Sequence, residues 1–114
     1  MIGSLTRRSD FDRLRTNGNW VVCGSLRLRV LRLGEESPLL VGFSIKRTAG
    51  NAVIRNRLRR RTRAAMAEVF HQESSKYSGA LCLAVVSPTA DAIAWEDLKG
   101  QVAECFAKSG LLNE

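Results

Sequence analysis

Residues 43–63, FSIKRTAGNAVIRNRLRRRTR, decide the fold and hold the whole excess of positive charge in the chain. Eight of these residues are Lys or Arg, and none is Asp or Glu. The chain of 114 residues has 18 basic and 11 acidic side chains, so the rest of it, with ten basic and eleven acidic, has a net charge of −1. A basic excess confined to one stretch indicates a polyanionic partner for that stretch.

This stretch is predicted to be a strand that leads into a helix. Phe43 and Ile45 alternate with small or polar residues, which is the period of a strand with one buried face. Gly50 ends the strand, and Asn51 is a favourable N-cap for a helix over residues 52–71. Apolar residues at helical spacing predict the side of this helix that docks on the protein: Ile54, Leu58, Ala65 and Val69.

The opposite side of the helix has the charge pattern of a phosphate-binding surface. Solvated helical faces usually mix acids and bases, because opposite charges four residues apart stabilise them. Here like charges stand four residues apart in three pairs, Arg55/Arg59, Arg57/Arg61 and Arg59/Arg63. Each such pair costs about 0.2–0.5 kcal/mol. Guanidinium groups bind phosphate in a bidentate manner, so a nucleic acid or another polyanion is the predicted partner.

The N-terminal half predicts a helix and a long strand. The helix begins at a Ser9 N-cap and ends at Gly18. A strand over residues 20–33 follows, with a bulge near Val30, where the alternation of apolar residues changes parity. We expect this strand to pair as an antiparallel hairpin with the strand at residues 39–46.

The C-terminal half predicts a buried strand and a second long helix. Residues 80–86 are a continuous apolar run, and in one sheet with residues 39–46 the two strands would be parallel. Residues 95–108 form the helix, with Trp95 and Phe106 at core positions. Phe11 and Trp20, in contrast, are either core residues or stacking platforms for bases.

Composition indicates one domain over residues 1–114, with a core that needs no disulfide. Cys23, Cys82 and Cys105 are odd in number and fit no metal-ligand spacing, so we expect buried, reduced thiols in a cytoplasmic protein. With no signal-peptide core and no run of about 20 apolar residues, we expect no membrane partner. No set of side chains has catalytic spacing, so we predict neither catalytic residues nor a metal site in the protein.

Three short segments resemble the protein component of bacterial ribonuclease P: VGFSI at 41–45, GNAV at 50–53, and Arg55-Asn56-Arg57 followed by Arg59, Arg60 and Arg63. Weaker similarity extends over nearly the whole chain. The resemblance implies an α+β fold, a two-layer α/β sandwich of order αβββαβα, with residues 20–33 divided into two strands. It also implies a mixed sheet with a left-handed βαβ crossover that contains the arginine-rich helix.

The resemblance further implies a subunit of a ribonucleoprotein endonuclease that matures the 5′ end of tRNA. In that family the catalytic RNA cleaves precursor tRNA with magnesium held mainly by the RNA, and the protein alone is not expected to be catalytic or to need another protein. Charge and resemblance together predict the residues that bind the catalytic RNA: Lys46, Arg47, Arg55, Asn56, Arg57, Arg59, Arg60, Arg61 and Arg63.

The family also holds the single-stranded 5′ leader of precursor tRNA in a cleft between the first helix and an open face of the sheet. Phe11 matches the aromatic residue of that cleft, and Arg15, Arg29 and Ser44 complete the predicted leader site. Family members often have aromatic residues where this chain has Arg15 and Arg29. We therefore expect cation contacts to replace part of the base stacking. Ala80 and Val86 also depart from the family pattern, which often has an acid and a cation there.

Other function classes are compatible with the same residues. The main alternative is a small ribosomal or translation-associated RNA-binding protein without a nuclease role, and another is a protein enzyme that acts alone. A helix-turn-helix DNA-binding protein is less favoured, because the arginine-rich helix follows a strand. Restored cleavage of precursor tRNA by the catalytic RNA at low magnesium would distinguish the family function from the main alternative.

Overall fold

Five strands and three helices make up the part of the chain that the computed structural model describes, residues 2–34, 37–72 and 78–111. In order they are β1 (Ile2–Ser4), α1 (Arg8–Asn17), β2 (Asn19–Cys23), β3 (Leu26–Gly34), β4 (Leu39–Ser44), α2 (Ala52–Gln72), β5 (Gly79–Val86) and α3 (Trp95–Lys108). Short 3₁₀ turns occupy Arg47–Ala49 and Pro88–Asp91. The predicted order αβββαβα is confirmed, with β1 added before it. The division of residues 20–33 into two strands is also confirmed.

The strands form one mixed sheet in the order β1-β4-β5-β3-β2. β4 and β5 are parallel, which confirms the βαβ crossover through α2. The left-handedness of this crossover stays a prediction. The expected hairpin between β3 and β4 is wrong, because β5 lies between them and pairs antiparallel with β3. Nearly all of β5 is buried, and a strand with two apolar faces is most stable in the middle of a sheet.

One face of the sheet and the inner sides of α2 and α3 enclose the main core. Leu58, Ala65 and Val69 are buried there and Ile54 packs against them, which confirms the predicted docking side of α2. Phe106 is also fully buried, and Trp95 lies at the edge of the core. These contacts fix the rotation of α2, so its arginine side faces away from the sheet.

The other face of the sheet has a second, smaller cluster under α1. Leu14 packs with Leu5 and Leu81, and Leu31 and Leu33 border the same cluster. The expected bulge near Val30 is therefore wrong: the parity of β3 does not change, because Leu31 and Leu33 lie on the side opposite to Val30 and pack against the cluster under α1. The irregularity of the ladder lies further on, between Arg32 and Gly34.

Local signals at the helix ends are partly confirmed. The Asn51 Oδ1 atom accepts a hydrogen bond from the Ile54 N–H at 3.1 Å, as expected for an N-cap. Gly18 ends α1, and its N–H donates to the Leu14 carbonyl at 2.7 Å. The Ser9 cap is wrong, since α1 begins after Arg7, which makes no side-chain cap. The buried Leu5 donates its N–H to the Val41 carbonyl, and this anchor brings the chain into the helix before Ser9.

Candidate nucleic-acid interface

The outer side of α2 carries most of the predicted RNA-binding residues. We call Arg55, Asn56, Arg57, Arg59, Arg60 and Arg63 the arginine surface. Asn56, Arg57, Arg59 and Arg60 are exposed, and Arg55 and Arg63 are half-buried at its borders. Val53, with 68% of its surface exposed, lines a shallow hollow with Asn56, Arg59 and Arg60. This hollow combines apolar contact, an amide and two guanidinium groups on one helical face.

Asn56 orders one cation of the arginine surface. Its Oδ1 atom accepts a hydrogen bond from the Arg59 Nη1 atom at 2.7 Å. The amide nitrogen of Asn56 remains as a donor toward the exposed side. Asn56 therefore supports a guanidinium group and presents a polar group of its own in the same hollow.

Two arginines of α2 bind the 3₁₀ turn at Pro88–Asp91. Arg57 makes a bidentate ion pair with Asp91, with Nε at 2.8 Å from Oδ1 and Nη2 at 2.5 Å from Oδ2. Arg61 donates to the carbonyl oxygens of Ala90 and Ile93. Within the described residues, Arg57 is the one arginine of α2 that pairs with a carboxylate. The structure thus gives Arg61 a role in holding the turn, and its contact with RNA stays a prediction.

The predicted leader residues surround a small cleft between α1 and the sheet. Phe11, Leu14, Arg15, Arg29 and Leu83 line it, with a volume of about 190 Å³. Phe11 is 37% exposed and is therefore not a core residue. Arg29 ties the end of α1 to the sheet by donating to the Arg15 carbonyl oxygen, and the Arg15 side chain pairs with Asp12.

On the same sheet face, Gly42 lies under Phe11, and Ser44 is exposed beyond it. A Cβ atom at Gly42 would stand 3.3 Å from the Phe11 ring, so glycine allows this ring to lie close to the sheet. Ser44 pairs in register with Val85, which lines a second hollow with a volume of about 300 Å³. Lys46 borders that hollow, away from the arginine surface. Ser44 and Lys46 therefore lie near one another, next to the cleft.

Trp20, which the sequence left open as a core residue or a stacking platform, is not among the predicted leader residues. It is 44% exposed, and the guanidinium carbons of Arg27 and Arg29 lie 4.6 and 5.4 Å from its ring centroid. Trp20 pairs in register with Arg29 across β2 and β3. The signal in the sequence was Gly24-Ser25, because a two-residue hairpin turn at this point places Trp20 and Arg29 side by side. Arg29 thus stacks on an aromatic ring supplied by the neighbouring strand.

Among the described residues, two guanidinium nitrogens are buried without a hydrogen-bond partner, one at each surface. These atoms are the Nε of Arg29, in the cleft, and the Nε of Arg55, at the border of the arginine surface. Buried donors normally find an acceptor, because an unsatisfied one costs free energy. Both atoms are enclosed by protein, so a phosphate or a base can reach them only after the side chains move.

The thiols are poorly suited to nucleophilic chemistry. Cys23, Cys82 and Cys105 are free and buried, as expected. Burial raises the pKa of Cys82 to about 12, and it also raises the pKa of Cys105. Protonated, enclosed thiols are inert. In residues 2–34, 37–72 and 78–111, His, Cys, Asp and Glu form no group of three that could hold a metal ion.

Among the helices in the described part of the chain, none combines the length and the apolar character needed to cross a bilayer.

Comparison with known proteins gives one consistent result. The Ribonuclease P family profile matches residues 3–110. The ribonuclease P protein component of Clavibacter michiganensis is 28% identical over 105 residues, which cover 92% of this chain and 90% of that protein. The ribonuclease P protein component of Gluconacetobacter diazotrophicus is 36% identical over 69 residues, which cover 60% of this chain and 60% of that protein. The ribonuclease P protein of Staphylococcus aureus has the same fold, with a TM-score of 0.73 at 18% identity over 96% of this chain and 97% of that one. The chain belongs to the ribonuclease P protein family.

Proposed function

We propose that this chain binds the catalytic RNA of ribonuclease P through the arginine surface. The observation that carries the proposal is the charge of α2: six arginines between residues 55 and 63, of which Arg57 alone pairs with a carboxylate within the described residues. The exposed guanidinium groups of Arg59 and Arg60 remain directed at solvent beside Val53. Arg47, exposed in the turn before α2, adds positive charge at the start of this surface.

We propose that the cleft under α1 binds the 5′ leader of precursor tRNA. Phe11 and Trp20 offer exposed aromatic rings on which unpaired bases can stack, and Arg15, Arg27 and Arg29 lie beside them. The track continues along the open sheet face to Ser44 and Lys46. Leu83 and Val85, two residues apart in β5, are separated by about 6.6 Å, close to the spacing of nucleotides in an extended strand.

We assign cleavage of precursor tRNA to the RNA subunit, in the cytoplasm and without an obligate protein partner. Magnesium, held mainly by that RNA, would supply charge stabilisation at the scissile phosphate. Magnesium prefers carboxylate oxygens and water. Asp10 and Asp12 of α1 form ion pairs with Arg13 and Arg15, and among the described residues the cleft is lined by two arginines and no carboxylate. The cleft thus presents cations to RNA.

The salt dependence of RNA binding tests the arginine surface. If about four phosphates are neutralised, affinity for the catalytic RNA falls roughly a hundredfold between 50 and 200 mM salt. Arg60→Ala should weaken binding several-fold and reduce the slope of log affinity against log salt by about 0.9, the contribution of one phosphate. Filter binding over a salt series measures both quantities.

Lys108→Ala is the matched control, because it removes one positive charge from the end of α3, where Lys108 pairs with Glu104. It should leave the slope unchanged. Equal slopes for wild type, Arg60→Ala and the double variant Arg59→Ala/Arg60→Ala would exclude the arginine surface as the RNA-binding site.

A further inference from the structure

Within the described residues, Asp91 is the one carboxylate that pairs with the arginine surface. It lies at the end of the 3₁₀ turn Pro88–Asp91, and it accepts two hydrogen bonds from Arg57 in a bidentate pair. An acid at this position lowers the positive potential that would attract RNA. Its presence next to the predicted phosphate contacts therefore calls for a physical reason.

The turn that carries Asp91 is held rigidly against α2. Ala90, next to Asp91, is buried, and its carbonyl oxygen accepts a hydrogen bond from Arg61, as does the Ile93 carbonyl. Ser87 caps the turn by accepting from the Thr89 N–H at 3.4 Å. Asp91 is therefore a fixed acceptor, positioned by backbone and core contacts.

The pair leaves part of the Arg57 guanidinium group available to a ligand. A guanidinium group has five N–H donors, and Asp91 takes one from Nε and one from Nη2. The remaining N–H groups, two on Nη1 and one on Nη2, lie on the edge that points away from the carboxylate. The Arg57 side chain is 49% exposed, so this free edge can meet a phosphate in the bidentate geometry that arginine favours.

We propose that Asp91 is a positioning residue that orients Arg57 for a phosphate of the catalytic RNA. This inference rests on the proposed RNA-binding role of the arginine surface. An unpaired arginine side chain loses rotamer entropy when it binds phosphate. An arginine side chain that is already held by a carboxylate loses less. Asp91 thus improves the geometry of one contact although its negative charge weakens the long-range attraction.

These two effects of Asp91 have opposite signs, which makes the proposal testable. In Asp91→Asn the negative charge is lost together with the bidentate pair. The positioning role predicts that affinity for the catalytic RNA falls about fivefold at 100 mM salt and that the salt slope decreases by up to about 0.9. Affinity for an unstructured RNA such as polyuridylate should be equal or higher, because only net charge matters there. An affinity for the catalytic RNA that stays the same or rises would overturn the proposal.

Further variants separate positioning from stability and from charge alone. Asp97→Asn, in the first turn of α3, makes the same change in net charge and should not weaken binding of the catalytic RNA. Arg57→Lys keeps the positive charge but cannot form the bidentate pair, so it should lose affinity too. In the Arg57→Lys background, Asp91→Asn should then cause no additional loss, and an additive loss contradicts the proposal.

The outcome also distinguishes this inference from the proposed function. If Arg60→Ala reduces the salt slope but Arg57→Lys and Asp91→Asn do not weaken binding, the positioning role is wrong and the RNA-binding surface stands. If no arginine substitution changes the slope, the proposed function itself fails. Thermal unfolding of each variant, followed by circular dichroism, verifies that the measured proteins are folded.

Discussion

At the scale of single residues, adjacent arginines in α2 have different environments and make different contacts. Arg60 is exposed on the arginine surface, whereas Arg61, one residue later, hydrogen-bonds the carbonyl oxygens of Ala90 and Ile93. Leu58 is fully buried in the core that α2 and α3 form with the sheet. A helix turns by 100° per residue, so a run of arginines necessarily spreads over several environments. Charge alone therefore did not separate the arginines that face solvent from Arg61, which hydrogen-bonds the backbone of the turn.

Leu58→Ala should destabilise the protein by about 3 kcal/mol, because the substitution leaves a cavity in the core between α2 and the sheet. The measurement is the free energy of unfolding in urea. Val53→Ala is the control on the same helix, since 68% of the Val53 surface is exposed, and it should change stability by less than about 0.5 kcal/mol. Equal losses for the two variants would contradict the observed rotation of α2.

At the scale of elements, α2 is fixed by contacts on two sides. Its apolar side packs on the sheet and α3, and Lys99 of α3 pairs with Glu68 of α2 at 2.9 Å. Beside this apolar side, Arg57 and Arg61 bind the turn between β5 and α3. The arginine surface is consequently held by neighbours that are distant in the sequence, which keeps its guanidinium groups in a defined arrangement.

The Arg57–Asp91 pair should give stability a pH dependence. The hydrogen bond from Arg57 lowers the pKa of Asp91 in the folded state, and the charges of Arg57 and Arg61 act in the same direction. The stabilisation is therefore present above the unfolded-state pKa of about 3.9 and is lost as the pH falls through the lower folded-state value. The difference in urea unfolding free energy between wild type and Asp91→Asn should be larger at pH 6 than at pH 2.5. A difference that grows toward acid pH would contradict the assigned pair.

At the scale of the whole molecule, the two proposed RNA-binding surfaces lie on different sides of the sheet. The arginine surface lies on α2, whose inner side packs on one face of the sheet, and the cleft lies on the other face under α1. The same sheet supports both. Substitutions in one surface should accordingly leave the function of the other intact.

Trp20→Ala should weaken binding of leader-bearing precursor tRNA by the assembled ribonucleoprotein about tenfold, because stacking of one base contributes about 1–3 kcal/mol. Affinity for tRNA without a leader, and affinity of the protein for the catalytic RNA, should be unchanged. Val22→Ala is the control, since Val22 is also exposed, at 59%, on the same face of β2 but has no ring. An equal loss for leaderless tRNA would show that Trp20 does not act on the leader.

Periodicity and charge in the sequence determined the helices, the docking side of α2, the buried strand β5 and the location of the positive charge. These properties depend on residues close together in the chain. The Asn51 cap and the apolar side of α2 that contains Leu58 are examples. Only the tertiary structure decided that β5 separates β3 from β4, that Trp20 lies beside Arg29, and that Asp91 meets Arg57. Strand order and ion pairs between distant residues follow from which apolar faces can be buried together, and this depends on the packing of the whole chain.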